Sequence, residues 1–401
     1  MINCRFRSSR RRKARLFVPL LAATVALAAC GSDSKSSSTS AAPATTTAAT
    51  SAASTAPSET ASPATSTAES PAESTAESTA ESTADSGATE TSAPGELTSL
   101  TIGYSAWPGW FPLAVADKKG IFTEAGLKVD LKYFVDYTAS LDALVAGQLD
   151  VNAQTLNDTI FAVASGADQK IVVVGDNSTG NDAVICDKSI TSIEGLKGKT
   201  IAAEAGVVDH FLLLQGLDTV GLTEKDIDFQ GVKTDAAAAA FAGGQFDCAA
   251  VFAPFTLQAL ERPDSHVLFS SKDFPGTIPD HLVATADAAK DTVAMQKLVN
   301  AWYMTLDYIS DNPEEATQIM ADAAEVSVDD YTSFADGTTL FTPEQALSAF
   351  ADRPGDPTSL VEMARRIDPF LVSSGLTEKP ADVTNLFEPQ YTQAYVDQMT
   401  G

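Results

Sequence analysis

The sequence predicts a two-lobed α/β protein, built on doubly wound, mostly parallel sheets joined by two crossing strands, with a ligand cleft between the lobes. Three observations predict it. Strand-like and helix-like runs alternate from residue 97 onward, the pattern of a mostly parallel sheet covered on both faces. One order of elements occurs twice. GLKVDL (126–131) leads through a helix to AGQLDV (146–151), and GLTEKDIDF (221–229) leads through a helix to AGGQFDC (242–248). The Gly-Leu to Gly-Gln separations are 21 and 23 residues, a weak internal repeat rather than a solenoid. Finally, about 300 residues follow a low-complexity stretch, enough for two cores.

The elements follow in order. The run from 97 through LTIGYS reads as a buried strand, followed by a turn, WPGW. Pro fixes φ and Gly accepts the turn's unusual backbone. Two of the chain's three tryptophans sit on that turn. A helix is expected from about Phe111 to Lys119, stopped by Gly120. In LKVDLKYF (127–134) Leu127, Val129, Leu131 and Tyr133 share one face and Lys128, Asp130 and Lys132 the other, the period of a strand. TASLDALVAGQ (138–148) spaces Leu141, Leu144 and Val145 as a helix does. LDVNAQT and KIVVVGDNS (170–178) read as strands. NDAVIC (181–186) and HLVAT (281–285) are the expected crossings, so lobe 1 takes residues 97–186 and 271–401 and lobe 2 takes 187–270. Beyond Lys290 the pattern is helical and completes lobe 1.

The N-terminus is of another kind. Seven basic residues lie in the first fifteen, and an apolar run from Leu16 to Ala29 follows. The run is short for a membrane span, and its flanks are those of a secretory signal, expected over 1–29. It ends LAAC, and these small residues before Cys30 resemble a bacterial lipobox. That resemblance implies cleavage before Cys30 and lipid on its sulfur, which places the protein on the extracytoplasmic face of the cell membrane. From Cys30 to residue 96 the chain is almost only Ser, Thr, Ala, Pro and Glu, with PAESTAESTAESTAD at 71–85. Such a segment has no apolar surface to offset the entropy of ordering, and reads as a disordered stalk.

Ligands of open α/β sheets sit outside the carboxyl ends of the strands. Those ends carry Ser105, Trp107 and Trp110; Gln154, Thr155, Asn157 and Asp158; Asp176, Asn181 and Asp182; Val208, Asp209 and His210; and Phe252 and Pro254. A tryptophan there gives a slot a rigid apolar wall and one N–H donor. The bland readings stay open. Trp107 and Trp110 fit helix–sheet packing, Asp158 and Asp182 fit caps or turns, and Asp209 or His210 fits the first turn of the FLLLQGL helix.

IGYSAWPGWFPLAVADKKGIFTEAGLKVDL resembles the opening of the nitrate/taurine/aliphatic-sulfonate family of ABC-transporter solute-binding proteins. ALVAGQLDV, EGLKGKTIAAEAG (194–206) and AGGQFDCAAVFAP fit the same family. The resemblance implies a periplasmic-binding-protein-like type II fold. It also implies delivery of a small solute to a membrane permease driven by an ATPase. The chain departs from the family at Ala253-Pro254, where an acidic residue commonly precedes the proline, and in the weight of its WPGW turn.

The charge argues against nucleic acid as a partner. There are 53 acidic residues against 26 basic ones, and the formal net charge is −27. No cofactor or metal is expected: His210, His266 and His281 lack metal-ligand spacing, and there is no GxSxG and no P-loop. An enzyme or a structural surface lipoprotein is the alternative of another class on this fold. Cys186 and Cys248 remain after Cys30 and the signal are set aside, and either bond to each other or stay as buried thiols. Arginine and lysine are absent from the strand ends, whereas Asp158, Asp176, Asp182 and Asp209 are present. The expected solute is therefore a small nitrogenous or zwitterionic compound, with taurine, alkanesulfonates or nitrate as the alternative.

Overall fold

The computed structural model describes residues 97–400. The signal, the stalk and Cys30 lie outside the described residues. The chain first forms β1 (Thr98–Ser105), α1 (Pro112–Lys119), α2 (Ile121–Glu124), β2 (Leu127–Phe134), α3 (Tyr137–Val145), β3 (Val151–Thr155), α4 (Leu156–Ala164) and β4 (Gln169–Ser178). It continues through β5 (Asp182–Asp187), β6 (Thr200–Ala203), α5 (Val208–Asp218), β7 (Asp228–Gly231), α6 (Thr234–Ala242), β8 (Cys248–Phe252), α7 (Phe255–Leu260) and β9 (Ser265–Ser270). It ends with β10 (Pro279–Thr285), α8 (Thr292–Asp311), α9 (Pro313–Ala323), α10 (Val328–Ser333), β11 (Thr338–Leu340), α11 (Pro343–Phe350), α12 (Leu360–Ser374) and α13 (Gln390–Thr400).

Local chemistry sets these bounds. Pro112 stands at the first position of α1, where its missing N–H is not needed, and Gly120 ends the helix at φ 72°. Asp136 caps α3 by accepting from the Ala139 N–H. In α8 the buried residues Ala294, Met295, Leu298, Val299 and Trp302 follow helical spacing, so one stripe faces the core.

The strands make two sheets, ordered β11-β4-β10-β3-β1-β2 and β7-β6-β8-β5-β9. Both are mixed rather than mostly parallel. β10 runs antiparallel to β3 and β4, and β5 antiparallel to β8 and β9. The expected crossings are corrected by the same pairings. Residues 182–187 form an interior strand of the second sheet, and 279–285 an interior strand of the first. The chain passes between sheets just before each, in the short links after β4 and after β9. A fully buried strand such as Ala183–Cys186 is apolar on both faces in either sheet, so its residues do not reveal which sheet it joins. The lobe 1 limit expected at residue 186 thus falls inside the second sheet.

Cys186 and Cys248 are register partners on β5 and β8 and are joined by a disulfide. It closes a 62-residue separation, which in the chain-entropy account stabilises the fold by roughly 4 kcal/mol. We expect Cys186→Ser/Cys248→Ser to lower Tm by roughly 8–16 °C, at about 2–4 °C per kcal/mol. Thermal melts with and without reductant check this. An unchanged Tm, or two free thiols in the unreduced protein, contradicts it.

Candidate functional site

The WPGW turn leaves β1 and faces the second sheet. Trp107 Nε1 donates to Asp176 Oδ1 at the end of β4, at 2.9 Å. The turn is pressed so closely on Asp176 that a Cβ on Gly109 would lie 2.1 Å from its Oδ2, so only glycine fits. Tyr331 of α10 supports the turn from behind, its hydroxyl donating to the Pro108 carbonyl at 2.8 Å. The Trp110 ring leans on Tyr137, with centroids 5.4 Å apart. From the other sheet, Phe252 packs edge-on to Trp107 and to Tyr137, at 6.5 and 6.1 Å.

These rings enclose a cavity of about 10 Å³, lined also by Thr155, Asp182, Val208, Ile278 and Asp280. That is about the space of one water. A broader groove of about 1220 Å³ runs outside it past Leu141, Asp142, Phe161 and Asp287. Asp142 and Asp287 are exposed, so their charges are hydrated, while Asp158, which also lines the groove, is buried. The small cavity is the candidate site because its polar groups are buried.

Two carboxylates line the cavity, Asp182 and Asp280, and Asp158, Asp176 and Asp209 lie close enough to act on them electrostatically. All five are at most 2% exposed. Burial pushes Asp158 and Asp182 up to about 7. Burial also raises Asp176 and Asp280, which are register partners on β4 and β10. For Asp280 the charges of Asp176 and Asp182 add to the rise. Burial raises Asp209 well above the carboxylate range, with Glu204 adding to it. No lysine or arginine lines the cavity.

The carboxylates differ in what they hold. Asp158 is committed to protein donors: Tyr137 Oη and Thr155 Oγ1 reach its Oδ2 at 2.8 and 2.7 Å, and Asn157 Nδ2 reaches Oδ1 at 2.7 Å. The Val208 N–H, at the start of α5 in the other lobe, acts on the same carboxylate and opposes its rise. Asp209 Oδ2 accepts from Thr234 Oγ1 at 2.6 Å. By contrast, no N–H or hydroxyl donor reaches either oxygen of Asp280 or the Oδ2 of Asp182, and Trp110 Nε1 has no acceptor; Asp280 instead faces the Asp176 carboxyl closely enough for the two to share a proton.

Trp107, Trp110, Thr155, Asp182, Val208 and Phe252 therefore come together at the cavity as the sequence places them. Other residues lie elsewhere. Ser105 is buried at the end of β1 with its Oγ unpartnered. Gln154 donates to Thr159 Oγ1 within the first lobe, at 2.7 Å. Asn157 orients Asp158. Asn181 tethers the segment before β11, donating to the Phe334 carbonyl and Thr338 Oγ1 at 2.8 and 2.7 Å. His210 stacks on Phe229 at 4.2 Å and accepts from the Gly206 N–H. Its Nε2 lies 2.8 Å from Glu224, whose charge partly opposes the lowering of its pKa by burial. Pro254 opens α7.

Ile278 and Asp280 also line the cavity and were not signalled by the carboxyl-end rule; Tyr137, which lines it too, lies past the carboxyl end of β2, a strand end not among those read from the sequence. Asp280 opens an antiparallel strand, so it is that strand's amino end that reaches the cleft. Tyr137 is legible as the third residue after β2, in VDYTAS, at the start of a capped helix.

The family model described as NMT1-like matches residues 93–324. The chain belongs to the NMT1-like family. It is 29% identical over 227 residues to a protein of Brucella abortus named only as a binding protein, covering 55% of this chain and 70% of that one. It is 28% identical over 254 residues to the taurine-binding periplasmic protein of Escherichia coli, covering 58% of this chain and 76% of that one. The periplasmic aliphatic sulphonate binding protein of Escherichia coli has the same fold. It superposes with a TM-score of 0.60 at 22% identity, covering 73% of this chain and 99% of that one. The fold is accordingly the periplasmic-binding-protein-like α/β fold.

Proposed function

We propose that this protein is the extracytoplasmic solute receptor of an ABC importer, held to the membrane by lipid on Cys30 and handing a small nitrogenous solute to a permease and its ATPase. The observation that carries this reading is the cavity between the two sheets, walled by four aromatic rings and edged by carboxylate oxygens that no N–H or hydroxyl donor reaches. Apolar walls with a few convergent polar groups are what a small-molecule site requires. The names of the relatives support transport of a small solute. Binding rather than catalysis is supported by the histidines: His281 bonds Thr159 inside the first lobe, His210 faces Phe229, and His266 lies on β9.

A second reading, favoured by the name of the taurine-binding relative, is a zwitterion or anion such as taurine, an alkanesulfonate or nitrate. Its sulfonate or nitrate group would have to rely on neutral donors. A thermal-shift screen against amides, urea, polyamines, pyrimidines, sulfonates and nitrate tests the receptor reading. A solute at a hundred times its Kd stabilises the folded form by about 2.7 kcal/mol. No stabilisation by any small solute overturns it.

The anchor has its own test. Cys30→Ser is expected to release the protein into the medium or leave the precursor uncleaved. A variant that stays on the membrane at the mature mass removes the lipobox reading.

A further inference from the structure

Asp182 opens β5 in the second sheet and Asp280 opens β10 in the first. Both line the same cavity, both are at most 2% exposed, and both carry oxygens that no N–H or hydroxyl donor reaches. A buried carboxylate without a donor is costly unless something else satisfies it. Asp176 and Asp158 from the first lobe, and Asp209 from the second, crowd the same region. Each lobe thus brings carboxyl groups to the surface it closes with, and those of Asp158 and Asp182 carry charge above about pH 7. Closing the lobes sets these charges against one another in a medium of low dielectric constant, so something must offset the repulsion.

The walls say what kind of group does so. Trp107, Trp110, Tyr137 and Phe252 present aromatic rings to the cavity, and such faces attract an organic cation. They offer nothing to a hydrated metal ion, and among the described residues no group of three or more His, Cys, Asp or Glu is placed to hold one. The free acceptors of Asp182 and Asp280 call for N–H donors on the same ligand.

We propose that the solute is an organic cation that enters with the lobes parted, since the closed cavity has room for about one water, and whose N–H donors then bridge Asp182 of the second sheet to Asp280 of the first, so that the positive charge of the ligand is what holds the lobes together. The proposal rests on reading the cleft as a solute site, and it adds the charge and the bridge. It separates this protein from receptors for plain anions. An anion would add to the repulsion between the lobes rather than relieve it. The bridge also makes closure conditional, since a neutral molecule of equal size leaves the carboxylates opposed.

The test uses two measurements on the full mature protein. Calorimetry at pH 8 compares agmatine and benzamidine, which carry charge and N–H donors, with choline, which carries charge alone. Taurine, methanesulfonate, nitrate and calcium chloride complete the set. Binding of an N–H cation, weakened about tenfold to a hundredfold by Asp182→Asn and by Asp280→Asn, supports the proposal, since a hydrogen bond to a charged group has that worth. Binding of an anion overturns the proposal while leaving the receptor reading intact. Binding of calcium, or of choline in preference to the N–H cations, also overturns it. The second measurement needs no solute. Small-angle scattering at pH 8 and low salt is expected to show a larger radius of gyration for the wild type than for Asp182→Asn/Asp280→Asn, because neutralising the pair removes the repulsion. Equal radii overturn the proposal whatever the calorimetry gives; the receptor reading stands or falls on the thermal-shift screen alone.

Discussion

The solute-free protein is expected to become more stable and more compact as pH falls from 8 to about 5, the reverse of ordinary acid weakening. The cause is the set of buried carboxylates. Asp158 and Asp182 have folded-state values near 7, against about 3.9 in an unfolded chain. Asp176, Asp209 and Asp280 are raised as well. A group whose folded value is raised contributes stability that is fully present below its unfolded value. That contribution is lost as pH rises through the folded value. Each such group changes stability by about 1.4 kcal/mol per pH unit inside its window. Two imidazoles oppose the trend. Burial lowers His210 and pushes His281 down to about 3, so their contribution is lost as pH falls below about 6.5. Five carboxylates outweigh two imidazoles between pH 7 and 5. The phenols of Tyr137 and Tyr331, which face the same cluster, are raised by burial and stay neutral throughout. Opening of the lobes limits the loss at high pH, because rehydrated carboxylates no longer oppose folding. Tm and radius of gyration measured from pH 5 to 8 therefore report one process. A Tm that rises steadily with pH over this range sinks the account.

The α/β alternation was legible because it rests on local patterns. Lys128, Asp130 and Lys132 alternate with Leu127, Val129 and Leu131 to mark β2, and glycines mark the helix ends as they do at Gly120. What the sequence did not disclose was direction and partnership. Ala183–Cys186 is buried on both faces, so the same residues suit a crossing or an interior antiparallel strand. That ambiguity moved the lobe boundary. It also hid Asp280, since a rule about carboxyl ends overlooks a strand that enters the cleft from its amino end. Asp182 was found only because it follows closely on β4. Of the four carboxylates read at the strand ends, Asp158 is enclosed by Tyr137, Thr155 and Asn157, whereas Asp182 keeps a free oxygen. Residue type cannot separate the two cases, because the difference lies in which neighbours the fold delivers.

Why two tryptophans occupy a turn is answered by what each touches, and the answer gives the second large effect. Trp107 is 3% exposed, packs against Trp110 and Phe252, and donates to Asp176. It therefore joins the first lobe, the second lobe and the carboxylate cluster at one point. Trp107→Ala removes the ring and the donor together, and is expected to lower stability by about 3–5 kcal/mol, as large aromatic deletions in cores do. Trp107→Phe separates the two roles, because it keeps most of the apolar face and removes only the N–H. At pH 5, where Asp176 is protonated, the lost bond is a neutral one worth about 1 kcal/mol. At pH 8 the carboxylate is ionised, and losing a bond to a charged group costs about 1.5–3 kcal/mol. The penalty of Trp107→Phe should thus grow with pH, while that of Trp107→Ala is large at both. Denaturant unfolding of the two variants at pH 5 and pH 8 measures the difference. A Trp107→Phe penalty that is the same at both values would mean that Trp107 serves as a wall alone and has no part in holding Asp176.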